Sequence, residues 1–104
     1  MNTQVTKGRE GWEAETVVSI NETQALRIRT GKGSRGVPTS ATVVQPTLTG
    51  FIWSPFDDYS EELRKGVGLR CTDKTVRAEH EAALADIEGL KSRALAHYER
   101  KDAM

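Results

Sequence analysis

Cys71 is the only cysteine in this chain. No intramolecular disulfide can form and no thiolate metal cage can be built from one copy, so a reducing compartment, the cytoplasm, is the expected location. Long apolar runs are missing as well. No stretch approaches the roughly 20 consecutive apolar residues that a membrane span needs. The first residues carry charge but no apolar segment of about 7 to 15 residues, the mark of a secretory signal. No membrane partner is expected. Net charge is also absent, because 15 basic side chains balance 15 acidic ones. Polyanion binding driven by overall charge is thereby excluded, and only local patches remain. There is no internal repeat and no low-complexity tract.

The 104 residues, 37% of them apolar, suit one domain, since a second core would have too little apolar surface to close. Residues 1–11 are polar, carry two glycines and show no apolar period, which predicts a flexible arm. The β-branched run in residues 14–20 predicts a strand, and Asn21-Glu22 a hairpin turn. In residues 23–30, Leu26 and Ile28 alternate with Arg27 and Arg29 at a period of two, the clearest strand pattern in the chain. Gly31-Lys32-Gly33-Ser34-Arg35-Gly36 then frees the backbone for a hairpin tip, and residues 39–45 resume an extended run that Pro46 ends or confines to an edge. Gly50 sets off a short fourth strand at Phe51-Ile52-Trp53.

Ser54-Pro55-Phe56-Asp57 carries a capping residue, a proline at the first helical position and an acid three residues after the cap, predicting a short helix that Gly66 closes. Residues 67–71 read as either a strand or a connector. Thr72 or Asp73 can cap a last, long helix, on which Val76, Ala83, Ile87, Leu90, Ala94 and Tyr98 recur at helical spacing up to about Lys101. The expected class is α+β: an antiparallel meander of three or four strands packed by a short helix and a long C-terminal helix. That last helix would reach roughly 40 Å at about 1.5 Å per residue. This exceeds what a domain with a radius of gyration near 13 Å needs, so a homodimer is expected.

Candidate chemistry is sparse. Residues 31–36 match G-x-G-x-x-G, yet no helix start follows to meet a pyrophosphate, so no dinucleotide cofactor is implied. A kinase-type glycine loop would need partner motifs for which the chain is too short. Arg27, Arg29, Lys32 and Arg35 make one basic hairpin, with no acid between Glu22 and Asp57 to neutralise it, and form a candidate nucleic-acid or anion site. Phe51, Trp53, Phe56 and Tyr59 place four aromatics within nine residues, a candidate ligand pocket that also suits a core. Asp57, Asp58, Glu61 and Glu62 fit the predicted helix dipole and imply neither acid/base chemistry nor a metal. His80 and His97 lack the i, i+4 spacing of paired metal ligands. His80 is placed at the edge of the apolar stripe, where its titration would tune dimerisation. Cys71 suits a small buried hydrophobe better than a nucleophile.

These patterns favour a non-enzymatic interaction protein, homodimeric, that binds another macromolecule through the polar face of its sheet or its surplus helix. The alternatives are a nucleic-acid-binding protein using the basic hairpin, and a small-ligand-binding protein or enzyme using the aromatic cluster.

Overall fold

The computed structural model describes residues 3–22, 24–31, 36–47, 50–53 and 59–102. Its sheet grows outward from the pattern that is plainest in the sequence. Strand β3 (Ala25–Thr30) buries Leu26, Ile28 and Thr30 and leaves Arg27 and Arg29 half-exposed, as period-two alternation requires. Strand β2 (Gly11–Ser19) pairs with it antiparallel, Thr16 opposite Ile28 and Val18 opposite Leu26. The turn between them closes because the Asn21 side-chain carbonyl accepts the Gln24 amide at 2.8 Å. Strand β1 (Thr3–Gly8) pairs with the outer side of β2, Thr3 opposite Thr16 and Val5 opposite Ala14.

Strand β4 (Thr39–Thr47) follows β3 by a hairpin, Ile28 opposite Ala41. Its other edge is shared. Strand β5 (Gly50–Trp53) takes residues 44–47 of β4, and strand β6 (Ser60–Arg64) takes residues 39–42. A strand has two edges only and β3 holds one, so β5 and β6 lie end to end as one interrupted rung. Pro46, which has no amide to donate, lies beyond the last β3 pair, Val44 opposite Ala25, where β5 alone adjoins among the described residues.

Helix α1 (Asp73–Leu84) starts at Thr72, whose hydroxyl accepts the Thr75 amide at 3.2 Å. Helix α2 (Ile87–Asp102) follows at once. Both lie on one face of the sheet. Leu90 and Ala94 of α2 pack on Ile20, Leu26, Ile28, Ala41 and Val43, while Val76 of α1 packs on Ala14 and Val37. Each fully buried Leu or Ile contributes roughly 1.5–3 kcal/mol of transfer free energy. The opposite face carries Glu13, Glu15, Arg27, Arg29, Ser40 and Thr42. Among the described residues no helix covers it.

The α+β meander is as expected, with more strands than the three or four anticipated. Three local expectations are corrected. Residues 3–8, expected to be a flexible arm, form β1, because Thr3 and Val5 face the helices at strand period and β2 offers a long edge. Residues 60–64, expected within a short helix, form β6. Tyr59 and Leu63 are four apart, a spacing that fits a helical turn and equally two strand periods, and the vacant edge of β4 decides between them. Residues 54–58 lie outside the described residues. The single long helix is interrupted at Ala85-Asp86, where Asp86 is a strong capping residue. The length on which the expected dimer rests is thereby divided between two shorter helices.

Candidate functional site: the groove between strand β1 and helix α1

Helix α1 packs over β2, β3, β4 and β6 but stops short of the β1 edge. A cleft of about 120 Å³ is left between it and β1. Thr3, Val5 and Ala14 form the strand wall, and Arg77, His80, Glu81 and Leu84 the helix wall. At the back stands His80, 1% exposed.

The imidazole is held from both sides. Its Nε2 lies 2.6 Å from the Thr16 hydroxyl and its Nδ1 lies 2.8 Å from the Thr30 hydroxyl. Thr16 continues to the Thr3 hydroxyl at 2.7 Å, and Thr30 to the Thr39 hydroxyl at 2.8 Å. The result is one chain of polar groups running across β1, β2, β3 and β4 with the helix side chain at its centre. It separates the apolar cluster around Val76 and Ala14 from the one around Leu90 and Ile28.

Bond counting fixes how the chain can be oriented. A neutral imidazole has one donor and one acceptor nitrogen. If Nδ1 carries the proton, it donates to Thr30, which donates to Thr39, while Thr16 donates to Nε2 and Thr3 donates to Thr16. The other tautomer reverses every hydroxyl. An imidazolium would find acceptors in both threonines, but among the described residues no carboxylate contacts the ring, and burial pushes the His80 pKa below its ordinary value of 6.5. His80 is thus a neutral, fully bonded group inside the fold rather than the stripe-edge residue expected from the sequence.

The groove has a built-in vacancy for a strand. Among the described residues nothing pairs with the outer edge of β1. Lys7, on the helix side of β1, and Glu81, at the cleft, have no ion-pair partner among the described residues. Arg77 is paired with Asp73 one turn earlier.

No protein-family model, no curated protein and no solved structure matches this chain.

The residues singled out from the sequence are distributed elsewhere. Arg27 and Arg29 do share the uncovered face, but β2 sets acids beside them: Arg27 bonds Glu15, and Arg29 reaches Glu13 at 3.4 Å. Lys32 and Arg35 lie outside the described residues. So does Phe56, as do the side chains of Phe51 and Trp53. Tyr59 packs against the main apolar cluster, donates to Glu61 at 2.5 Å and lies 5.3 Å from the His97 ring, centroid to centroid. Its pKa is raised by burial and by the Glu61 carboxylate.

Glu61 itself joins the sheet to the helices. Arg93 of α2 holds it at 3.0 Å and holds Asp86, at the helix junction, at 3.2 Å. Burial alone would raise the Glu61 pKa, but the Tyr59 hydroxyl and the Arg93 guanidinium override it and hold the carboxyl below its ordinary value. Arg93 is in turn held more firmly protonated by Glu61 and Asp86. Cys71 is half-buried, and its backbone carbonyl accepts the Trp12 amide at 2.9 Å. Among the described residues no cluster of three His, Cys, Asp or Glu side chains could hold a metal.

Sequence reasoning missed Thr3, Thr16, Thr30, Thr39, Arg77 and Glu81. One signal was available: His80 follows Val76 at helical spacing, so the two share a buried face, and a buried histidine demands polar partners on the facing strands.

Proposed function

We propose that this chain is a non-enzymatic interaction protein that takes up an extended polypeptide segment along the outer edge of β1, beside α1. The observation that carries this is the groove itself. A six-residue strand in unbroken register has its far edge unpaired among the described residues and lies next to a cleft with both apolar and polar walls. Strand addition uses such an edge: main-chain hydrogen bonds supply affinity, and alternate side chains of the incoming strand enter the flanking cleft for specificity. Natural sheets blunt unwanted edges with charges, prolines or bulges. Lys7 is the one charge on β1, which has no proline and no bulge.

The fully bonded state of His80 supports binding over catalysis, since neither ring nitrogen is available to move a proton for a substrate. The pairing of Arg27 and Arg29 with carboxylates counts against a polyanion as the main partner.

The test is amide-resolved. A random peptide library is selected against the protein, and each binder is mapped by backbone NMR. Peptides that shift and protect the amides of residues 3–8 support the reading. Binders that perturb only other surfaces overturn it.

A further inference from the structure

The occupant of the β1 edge can be argued further, on the strength of that reading, from two charges that have no ion-pair partner among the described residues. Lys7 stands on the helix side of β1, opposite Trp12. Glu81 stands on α1 at the cleft beside Thr3. Within one chain they are held apart, because α1 runs against β1. Val76 packs in the cluster that contains Trp12, at the Lys7 end, whereas His80 bonds Thr16, which faces Thr3, and Glu81 follows at that far end. The four strand steps from Thr3 to Lys7 amount to about 13 Å.

We propose that a second copy of this chain docks there, β1 against β1 in antiparallel pairing, so that each copy's lysine meets the other copy's glutamate. A two-fold axis perpendicular to the sheet keeps both helix layers on the same side. It allows only registers in which facing residues share a side of the strand. In the register centred on Val5, Gln4 faces the partner's Thr6 and Thr3 faces the partner's Lys7. That sets the partner's Lys7 at the mouth of the cleft, level with Glu81, and by symmetry sets Lys7 at the partner's Glu81. Val5 meets the partner's Val5 at the centre and closes the apolar wall. Arg77, the other cation at the cleft, is already neutralised by Asp73, so it does not repel the incoming ammonium. The two sheets become one continuous sheet, and neither copy keeps an open β1 edge.

The experiment measures mass by sedimentation equilibrium across a concentration series, for the parent chain, K7E, E81K and K7E/E81K. Both positions are at the surface, so the folds are expected to survive, and circular dichroism checks this. The parent is expected to pass from 11.5 kDa to twice that mass. Each single reversal is expected to weaken the dimer about tenfold or more, and the double variant to restore it. Hydrogen exchange on residues 3–8 should slow as dimer forms. A parent chain that stays monomeric to millimolar concentration, or a dimer indifferent to both reversals, overturns the inference. A monomer that still binds extended peptides at residues 3–8 sinks only the choice of occupant. A dimer whose β1 amides exchange freely, together with peptide binding elsewhere, sinks the strand-addition reading as well.

Discussion

The Nε2 atom of His80 and the hydroxyl of Thr16 lie 2.6 Å apart in a place where neither reaches water. A buried acceptor or donor left without a partner costs about 1–3 kcal/mol, whereas one that can turn to solvent costs little. Thr16→Val keeps the shape and removes the bond, so it is expected to destabilise the fold by about 1–3 kcal/mol. Thr3→Val, at the exposed end of the same chain of hydroxyls, is expected to cost about 0.5 kcal/mol or less. Urea unfolding of the two variants checks the ordering, and equal losses would mean that the chain of bonds does not act as described.

The same burial predicts a pH dependence. The folded-state pKa of His80 lies below 6.5, while the unfolded chain titrates near the ordinary value of about 6.5. As pH falls through that value the unfolded state takes up a proton that the folded state refuses. Stability is therefore full above the window and is lost on acidification through it. Thermal melts at about pH 7.5 and about pH 5 should show a drop for the parent chain that shrinks in His80→Gln, whatever the absolute melting point of that variant. Parallel slopes would contradict the assignment.

Arg27 and Arg29 are expected to attract nucleic acid only after their carboxylates are removed. The Glu15–Arg27 pair is about one-third exposed on each side, so it contributes about 1 kcal/mol or less. The variant E13Q/E15Q should remain folded and should retard a DNA duplex at low salt more strongly than the parent chain does. Equal retardation by the two would show that the acids do not mask the arginines.

Two glycines should differ sharply in their tolerance of alanine. At Gly66, φ is +55° and an added Cβ would lie 2.2 Å from the Val37 carbonyl oxygen, a backbone atom that also accepts no easy displacement. The Val37 amide bonds the Gly66 carbonyl at 2.9 Å, which ties the two connecting segments together so that neither can withdraw. Gly66→Ala is expected to cost more than about 2 kcal/mol. At Gly89 the obstacle is the Asp86 carboxylate, 2.5 Å from the added Cβ, and a side chain can rotate away. Gly89→Ala alone should be close to neutral, because the usual helix gain of about 1 kcal/mol is offset by displacing Asp86. In an Asp86→Ala background the gain should reappear in thermal melts.

Much of the sheet was legible because its signal is local. Leu26, Arg27, Ile28 and Arg29 declare a strand and its two faces, the Asn21 turn follows it, and Thr72 announces α1. What escaped was decided by groups distant in sequence. Tyr59 and Leu63 satisfy both periods, and only the vacancy beside β4 selects β6. The acids that neutralise Arg27 and Arg29 arrive from β2, so a count of charge along the neighbouring sequence could not find them. The cleft could not be read either, because it depends on where α1 stops short of β1.

The histidine seam also bears on how the chain folds. Its two ring contacts join residues 64 and 50 positions apart, and each requires two strands already aligned beneath the helix. Closing such long loops costs entropy before any bond repays it, which slows folding relative to proteins built from local contacts. Helix α1 can form early on its own cap, but it can seat His80 only once β2 and β3 are in register. A one-residue slip of either strand would turn its threonine to the wrong face, so the seating of the ring acts as a late proofreading step for the register of the whole sheet.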